Sequence, residues 1–440
     1  MDEITIGMIG GGTVGSGVYH ALELNRSLME SRLGLKINLR KIAVKAFDEP
    51  RPYPIPESML TTNWREVVED PKVQIVIELV GGTTIAREII LTALKLGKPV
   101  ITANKALLSA HGEELFSAAL EHNANIYYEA SVAGGIPIIK AIREAFVGNR
   151  ITDIYGIVNG TCNYILTKMK REGSDFAQVL EQAQKEGYAE ANPSLDVDGL
   201  DSMHKIGILA SLAHGFWVSQ SKIYVEGIRH ISLMDIRFAE QLGYTIKLLG
   251  IVKQIDSITA KKKSQKIQVS VYPALVPHSH VLASVSDVFN AVYVKGDIVG
   301  ETLFYGRGAG KDATASAVLS DIADAALDLK YGTKSRLRPF VPHEKNGEII
   351  PIGDVASQYY IRLSVVDKPG VLAKISTIFG NSNISIASVI QPESQERETV
   401  PLIMMIHKAP NSAMLKALSK IEKLPFVKAK PVMIRVESFK

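Results

Sequence analysis

The stretch at residues 190–205 contains an aspartate and a lysine whose spacing could serve acid–base chemistry. Asp201 and Lys205 are four residues apart in a segment that predicts a helix, so their side chains share one face. A lysine ammonium can give a proton to an alkoxide, and the neutral amine can take one back. An exposed ion pair with the same spacing would contribute only about 0.3–0.5 kcal/mol to stability. Spacing alone favours the ion pair.

A glycine-rich turn near the N-terminus has the form G-x-G-x-x-G. It follows a predicted strand at residues 4–9 and precedes a predicted helix at residues 14–24. In dinucleotide folds these glycines allow a tight turn, close approach of the backbone to a pyrophosphate, and close helix–strand packing. The amide groups at the start of the helix then face the phosphates. The pattern predicts dinucleotide binding rather than a purely structural turn, with contacts from Gly10, Gly12, Thr13, Val14 and Gly15.

The end of the second predicted strand, at residues 37–46, bears on which dinucleotide binds. NAD-selective folds place Asp or Glu there, against the ribose 2′-hydroxyl. Lys45 stands near this position and would instead attract a 2′-phosphate. The alternative is that Lys45 is a solvent-exposed lysine and Asp48 serves as the acid. The sequence therefore favours NADP and leaves NAD open.

Further strands and helices alternate up to about residue 130. An apolar run at residues 73–80 is typical of a parallel strand, and a helix at 83–96 and a short strand at 99–102 follow. Such alternation indicates a Rossmann-type doubly wound parallel sheet in an α/β fold. Lys105 follows the short strand at the carboxyl edge of this sheet, where ligands bind. We expect Lys105 in the site rather than as an ordinary first-turn lysine.

The rest of the chain divides into further segments. Past residue 130 the elements alternate less regularly, which indicates an α+β substrate and dimerisation domain. The last ~83 residues follow the order βαββαβ of a ferredoxin-like module. We predict a dinucleotide-binding domain at residues 1–130, the substrate domain at 131–305, a helix returning to the nucleotide domain plus a linker at 306–357, and the C-terminal module at 358–440.

Composition excludes several classes of protein. The chain has 440 residues, a formal net charge of +4 and one cysteine, Cys162. One cysteine excludes an internal disulfide framework and a multi-cysteine metal site. No apolar stretch reaches the ~18 residues of a membrane-spanning helix, and the acidic N-terminus lacks a secretory pattern. We expect a cytoplasmic protein without nucleic-acid or membrane partners, in which the only lysine triplet, Lys261–Lys263, is a solvated turn.

Several stretches carry a family resemblance. The most specific is GYAEANPSLDVDGLDSMHK at residues 187–205; the others are ELVGG at 78–82, TANK at 102–105, YEASV at 128–132 and NGTCNY at 159–164. Together they resemble the homoserine dehydrogenases of the bacterial type that carries a C-terminal ACT domain, over nearly the whole chain. Asn192 stands where that family usually has aspartate, and Cys162 where it more often has threonine.

The resemblance implies a reaction and roles for the residues above. The reaction is the reversible NAD(P)H-dependent reduction of L-aspartate 4-semialdehyde to L-homoserine, in threonine, methionine and isoleucine biosynthesis. Lys205 would be its acid/base, which reverses the interpretation from spacing alone. Glu190 and Asp201 would hold the substrate, Lys105 would lie between nicotinamide and substrate, and Asp196 is either a further substrate acid or a cap or turn residue.

The resemblance also implies a monovalent-cation site and two more cofactor contacts. Backbone carbonyls with one carboxylate are hard oxygen donors, which suit Na⁺. The implied cation site is Glu129, Val132, Gly134 and Ile136, and the implied cofactor glycines are Gly187 and Gly310.

The C-terminal module resembles an ACT domain most strongly at the turn of residues 367–372. Backbone amides at this turn and the following helix start suit the carboxylate of an amino acid. The family suggests threonine as this effector and a homodimer or homotetramer as the assembly; the alternative is a purely structural oligomerisation module. The predicted regulatory residues are Asp367, Gly370, Val371 and Asn383.

Two rival functions remain for comparison. A semialdehyde dehydrogenase of the acylating type needs a cysteine nucleophile, for which Cys162 is the only candidate. Its surroundings contain no obvious activating histidine, which favours a small buried residue. A non-enzymatic sensor of nucleotide and amino acid is the second rival, but a sensor would not need a lysine beside the nicotinamide.

Overall fold

The computed structural model describes residues 2–255, 265–333, 336, 338–392 and 399–439. The triplet Lys261–Lys263 lies outside these described residues. The chain forms two compact units, each built from separate segments. The first contains Met1–Val158, His204–Ser221 and Phe289–Gly347; the second contains Asn159–Met203, Lys222–Val288 and Glu348–Lys440.

Strands and helices are numbered along the chain. The strands are β1 (Asp2–Ile9), β2 (Leu35–Ala43), β3 (Leu60–Thr61), β4 (Ile75–Glu78), β5 (Val100–Thr102), β6 (Ile126–Tyr127), β7 (Ile151–Ile157), β8 (Tyr224–Val225), β9 (Tyr244–Ile255), β10 (Lys266–Pro277), β11 (Phe289–Gly296), β12 (Gly300–Arg307), β13 (Glu348–Ile349), β14 (Ala356–Val366), β15 (Ile386–Ile390), β16 (Thr399–Pro410) and β17 (Val432–Val436). The helices are α1 (Thr13–Leu24), α2 (Arg26–Leu33), α3 (Arg65–Val68), α4 (Ile85–Lys95), α5 (Lys105–Glu121), α6 (Ile138–Lys140), α7 (Gly160–Glu172), α8 (Phe176–Lys185), α9 (Ser194–Val197), α10 (Leu200–His214), α11 (Leu233–Gln241), α12 (Lys311–Lys330), α13 (Val371–Asn381) and α14 (Asn411–Glu422).

The first unit contains the predicted parallel sheet, in the order β3-β2-β1-β4-β5-β6. Its strands are short and rich in β-branched residues, and Ile6, Ile75 and Ile77 are fully buried, as expected of a sheet covered on both faces. β1 lies between β2 and β4, which is where the strand order reverses. In such sheets ligands bind at the carboxyl ends beside this reversal. The doubly wound prediction is confirmed.

Two strands of this sheet end earlier than the sequence predicts, and side chains bond to backbone groups of the chain beyond each end. β4 ends at Glu78, whose carboxylate accepts the amides of Val80 and Gly81 and turns the chain out of the sheet. Beyond the end of β2, the guanidinium of Arg51 donates to the carbonyls of Ala46 and Phe47, so these groups are bonded to a side chain.

Helix α12 packs against α1 within the first unit. Four of its alanines belong to one buried cluster with Val18, Leu22 and Ile6. The approach is closest at Gly17 of α1, where an added Cβ would lie 3.0 Å from the carbonyl oxygen of Lys311. The small residues of both helices therefore permit this close contact. The unit also contains three antiparallel strands in the order β12-β11-β7.

The second unit is built around the long antiparallel pair of β9 and β10. The C-terminal segment has the predicted order of strands and helices, with strands arranged β17-β14-β16-β15 over a buried core that includes Tyr359, Ile375 and Phe379. The ferredoxin-like prediction is therefore confirmed. Its last strand, β17, also pairs in parallel with β10, with Ala274 opposite Arg435 and Leu275 opposite Val436. The C-terminal module thus continues the sheet of β9 and β10.

Among the described residues, no helix combines the length and apolarity that a membrane span requires.

Candidate active site

The glycine turn after β1 has room for an added side-chain atom at one glycine and none at two others. An added Cβ at Gly10 would lie 2.5 Å from the carbonyl of Leu79, and one at Gly15 would lie 1.9 Å from the carbonyl oxygen of Gly10. At Gly12 the nearest atom to such a Cβ is a carboxylate oxygen of Glu49, 3.9 Å away. The turn is therefore packed tightly at Gly10 and Gly15 and open at Gly12, immediately before Thr13, the first residue of α1. This geometry fits a phosphate group at the helix N-terminus.

The carboxyl ends of β4 and β5 are tied together by a buried carboxylate. Glu78 is fully buried, and its Oε2 accepts a hydrogen bond from the Thr102 hydroxyl at 2.7 Å. Burial is the main reason why the pKa of Glu78 is raised, and the hydrogen bonds from Thr102 and two backbone amides oppose this rise. The interaction fixes the two strand ends that border the site.

Asn104 positions Lys105 at this edge. Its Oδ1 accepts the amide of Leu107 at 3.1 Å, which caps α5, and its Nδ2 donates to the carbonyl of Gly82 at 2.7 Å. Lys105 is the first residue of α5 and is half-buried. Lys105 therefore lies at the carboxyl edge of the parallel sheet, where the sequence predicts it.

Two other predicted cofactor residues, Lys45 and Gly310, lie just beyond β2 and just before α12. Lys45 is exposed, two residues beyond the end of β2. Gly310 has a φ of 114° and directly precedes α12. The next residue, Lys311, donates from Nζ to the hydroxyl of Tyr53 at 2.5 Å, and the Tyr53 ring stacks on His20 of α1 with centroids 4.0 Å apart.

The predicted cation loop is buried, and its acid is bonded to backbone groups. The carboxylate of Glu129 accepts the amides of Ile139 and Lys140 at 2.9 and 2.8 Å. Burial, opposed by these bonds, raises the pKa of Glu129 to about 7. The loop turns at Ala133 and Gly134, which have φ values of 56° and 48°.

The other three residues of the predicted cation loop have no side-chain oxygen or nitrogen, so only their backbone carbonyls could contact a cation. Val132, Gly134 and Ile136 are all buried. In the described part of the chain, no group of three or more His, Cys, Asp and Glu side chains is arranged to hold a metal ion. Glu129 anchors the loop to α6 through the two amides that its carboxylate accepts.

Lys205 is buried in the first unit. It lies on α10, is 7% exposed, and its Nζ donates to the carbonyl oxygen of Val158 at 2.6 Å. Val158 directly follows β7, so a strand end fixes the position of the ammonium group.

Two of the predicted acids meet in the second unit. Asp201 is 4% exposed, and Asp196 is half-buried. The side-chain amide of Asn159 donates to Asp196 Oδ1 at 2.7 Å and to Asp201 Oδ2 at 2.9 Å. The two carboxylates therefore share one amide group.

The remaining predicted residues of the second unit lie at turns. Gly187, past the end of α8, has a φ of 78°. Glu190 is exposed, and its backbone carbonyl accepts a hydrogen bond from Gln184 at 3.0 Å. The geometry thus joins Asp196 to Asp201 and leaves the Glu190 side chain at the surface of this unit.

Three of the predicted regulatory residues lie at the start of α13, and the fourth, Asn383, lies two residues beyond its other end, Asn381. Gly370 caps the helix with a φ of 86°, and Val371 is its buried first residue. Asp367 is exposed and accepts a hydrogen bond from Gln391 at 3.0 Å. Asn383 has a φ of 56°, a left-handed conformation that asparagine tolerates better than most residues.

Comparison with protein-family models gives three matches along the chain. The family model of the NAD-binding domain of homoserine dehydrogenase matches residues 10–129, that of homoserine dehydrogenase matches residues 137–323, and that of the ACT domain matches residues 359–426. The homoserine dehydrogenase of Pseudomonas aeruginosa is 40% identical over 99% of this chain and 99% of its own length. That of Neisseria gonorrhoeae is 41% identical over 100% of this chain and 99% of its own length.

The chain belongs to the homoserine dehydrogenase family.

Solved structures agree with this assignment. The homoserine dehydrogenase of Thiobacillus denitrificans has a TM-score of 0.92 and 40% identity, and the match covers 99% of both chains. A hyperthermophilic archaeal homoserine dehydrogenase in complex with NADPH has a TM-score of 0.61 and 27% identity over 74% of this chain and 98% of its own. As a homoserine dehydrogenase family member, the chain is an NAD(P)-dependent oxidoreductase that acts on a CH–OH group.

Asn159 is the polar residue of this homoserine dehydrogenase site that the sequence analysis did not single out. Its Oδ1 accepts the amide of Cys162 at 2.8 Å and caps α7. An asparagine directly before a helix is a recognisable N-cap signal. The sequence analysis did not predict α7, so it did not identify this cap, and no local pattern encodes the contacts of Asn159 with two acids 37 and 42 residues away.

Proposed function

We propose that this chain catalyses the reversible oxidation of L-homoserine to L-aspartate 4-semialdehyde with NADP as the preferred cofactor. The observation that carries the proposal is the burial of Lys205, whose Nζ lies 2.6 Å from a backbone carbonyl at a strand end. A lysine held in this way has a fixed proton-carrying atom and little access to water. In an exposed ion pair the lysine would be open to solvent, whereas Lys205 is only 7% exposed.

The proton transfer is the part of the reaction that this chain's own residues perform. When bound, the reduced cofactor supplies the hydride that converts the aldehyde carbon to an alcohol. The ammonium of Lys205 gives a proton to the alkoxide oxygen, and in the oxidation direction the neutral amine removes the hydroxyl proton. The carbonyl of Val158 accepts one N–H of Lys205 and so orients the group.

Substrate binding is assigned to carboxylates. Asp201, with Glu190 and Asp196, would take the α-ammonium and hydroxyl groups through charge-assisted hydrogen bonds. Support comes from the burial of Asp201 and from its position four residues before Lys205 on α10. The spacing of four residues that would also suit an exposed ion pair is consistent with a substrate acid one helical turn before the proton donor.

Cofactor contacts are assigned to the glycine turn and the edge of the parallel sheet. Gly12 offers open space at the start of α1 for the pyrophosphate, and Lys45 offers a cation for a 2′-phosphate. Lys105 would lie between nicotinamide and substrate. Gly187 and Gly310 are assigned as further cofactor contacts. The buried main-chain loop at Glu129, Val132, Gly134 and Ile136 would hold a monovalent cation, which we assign as Na⁺.

Regulation is assigned to the ACT domain. In threonine, methionine and isoleucine biosynthesis, threonine is an end product of the pathway that homoserine feeds. The turn at Asp367, Gly370 and Val371 would bind it, whereas Asn383, which the sequence analysis grouped with them, lies beyond the other end of α13. Gly370 adopts a left-handed backbone conformation, which shapes a tight turn at the N-terminus of α13.

A homo-oligomer is part of the proposal. One face of β12 is uncovered within its unit, with Leu303 and Tyr305 41% and 55% exposed. Ile298 and Val147 in the same unit are each 77% exposed. Apolar side chains on an uncovered strand face favour contact with a second copy of this chain.

The direct test is turnover of L-homoserine by the purified chain with NADP⁺ or NAD⁺, followed by the absorbance of the reduced cofactor. The proposal expects cofactor reduction that depends on both homoserine and enzyme. Cofactor binding without turnover would support the sensor instead. Turnover that requires aspartate 4-semialdehyde and inorganic phosphate would support an acylating dehydrogenase.

A further inference from the structure

Both the amide nitrogen and the amide oxygen of the Asn159 side chain form hydrogen bonds, with three neighbouring residues in total. Nδ2 donates to Asp196 on α9 and to Asp201 on α10, while Oδ1 accepts the amide of Cys162. The side chain is 5% exposed. The amide cannot be flipped, because a flipped amide would aim its oxygen at two carboxylates and its N–H groups at a backbone N–H.

The bridge brings together two carboxylates that would otherwise repel each other. Like charges close together disfavour joint ionisation, and a shared hydrogen-bond donor offsets this effect. A third acid of the same segment, Asp198, pairs instead with Arg229, with Asp198 Oδ1 and Arg229 Nε 2.5 Å apart. The bridge is thus selective for two of the three acids between residues 196 and 201.

The first turn of α7 holds the acidic segment at further points. The hydroxyl of Thr161 donates to the carbonyl of Tyr188 at 2.8 Å. The thiol of Cys162 donates to the backbone carbonyl of Asp196 at 3.2 Å. The start of this helix therefore fixes both the backbone and the acids of residues 188–201.

We propose that Asn159 is a positioning residue that keeps Asp196 and Asp201 ionised and correctly spaced for the ammonium group of the substrate. This inference rests on the proposed function, since it assigns the two acids to substrate binding. One amide hydrogen serves each carboxylate, and the cap bond to Cys162 fixes the direction of both hydrogens.

The replacement Asn159→Asp tests this role with almost no change in shape. The new side chain keeps an oxygen for the cap of α7 but replaces the amide donor with an acceptor. When it is ionised, three carboxylates meet; when it is protonated, its hydroxyl can again donate to Asp196 or Asp201. The steady-state kcat/KM for L-homoserine is measured from about pH 6 to about pH 9 for the full-length chain, as a ratio to the unchanged chain at each pH.

Two more variants control for charge and folding. Asn192→Asp adds a carboxylate to the same segment, at an exposed position whose side chain bonds only within its own turn. Asn159→Ser retains a helix cap but lacks the amide that could bridge two acids. Melting temperature and fluorescence of bound reduced cofactor verify that each variant folds and binds cofactor.

For Asn159→Asp, the expected kcat/KM near pH 9 is about 10²-fold below that of the unchanged chain. The ratio of the two values should rise by about 10-fold or more as the pH falls to about 6. Asn192→Asp should stay near unity, and Asn159→Ser should lose most activity at the acidic end, because two close carboxylates without a shared donor hold a proton up to a higher pH. A ratio near unity for Asn159→Asp, or a loss that does not change with pH, would overturn the inference while leaving homoserine oxidation intact. An unchanged chain that fails to oxidise homoserine would overturn the proposed function and the inference together.

Discussion

At the scale of single residues, Cys162 has a structural role. It is fully buried and its thiol donates to the carbonyl of Asp196, 3.2 Å away. A nucleophilic cysteine needs access to its substrate and a thiolate form, which burial opposes. The rival acylating mechanism therefore has no support from the surroundings of this residue.

Replacing Cys162 with serine should leave most of the activity. A hydroxyl donates to the same carbonyl, and the smaller side chain should lower stability by about 1 kcal/mol through lost packing. We expect kcat within about 3-fold of the unchanged chain and a melting temperature a few degrees lower. A loss of kcat of about 10³-fold with cofactor binding intact would restore the nucleophile hypothesis.

Lys45 is the residue on which the choice of cofactor depends. It is exposed beyond β2, so a change of charge there should not disturb the fold. Lys45→Asp should weaken binding of NADP(H) by about 10-fold or more and change NAD(H) binding less, because only NADP(H) carries the 2′-phosphate. Titration of cofactor fluorescence measures both affinities.

Lys36→Asp is the matched control for that change, since Lys36 is exposed near the opposite end of β2. It should alter neither affinity. Equal losses of both cofactors in Lys45→Asp, or no loss, would place Lys45 outside the ribose pocket.

At the scale of elements, the N-terminus of α6 is held by a buried acid. Glu129 accepts two amides there, and Asp321 of α12 accepts the backbone amide of Glu129 at 2.9 Å. Burial raises the pKa of Asp321 well above its ordinary value, and the Glu129 carboxylate adds to that rise. The two acids are therefore expected to titrate as a pair.

This arrangement predicts how stability depends on pH. The pKa of Glu129 is about 7 in the folded chain and about 4.5 when unfolded, so between these values the folded chain binds more protons. The free energy of unfolding should therefore fall as pH rises from about 4.5 through about 7, by about 2–3 kcal/mol from this group. Chemical denaturation at several pH values measures this slope.

Glu129→Gln should reduce that slope, because a neutral amide does not titrate. The residual slope reports Asp321. Glu113→Gln, at an exposed position of α5, should leave the slope unchanged. An equal slope in Glu129→Gln and the unchanged chain would mean that Glu129 is not the titrating group.

Sequence patterns predicted the types of element well and their junctions poorly. The apolar periodicity of β1 and of the C-terminal βαββαβ segment reflects cores that each element buries, so it is visible in local sequence. The pairing of β17 with β10 involves residues about 160 positions apart, and no local pattern encodes it. The same applies to the bridge from Asn159 to Asp196 and Asp201.

At the scale of the whole molecule, the ACT domain is joined to the substrate region of the second unit through buried polar contacts. Arg435 of β17 donates to Glu226 at 2.9 Å. Glu437 accepts from Tyr272 at 2.8 Å and pairs with Lys253 at 2.5 Å. Removing the domain would uncover β10, so point substitutions test regulation better than truncation.

Threonine at millimolar concentration should inhibit homoserine oxidation by the full-length chain and raise its melting temperature. Asp367→Ala should weaken both effects by about 10-fold in threonine concentration, because the substitution removes an exposed carboxylate suited to the effector's amine. Lys374→Ala, on an exposed face of α13, is the control. If threonine changed neither the rate nor the melting temperature, the ACT domain would have only a structural role.

The most direct test of the central claim is the turnover number of Lys205→Ala with saturating L-homoserine and NADP⁺, measured beside its affinity for the reduced cofactor. Lys168→Ala, which removes a half-buried lysine paired with Glu172 on α7, is the matched control. The account predicts that kcat of Lys205→Ala falls by about 10²–10⁴-fold while cofactor affinity and the control are unchanged. A Lys205→Ala chain with kcat near that of the unchanged chain would contradict the assignment of Lys205 as the acid and base.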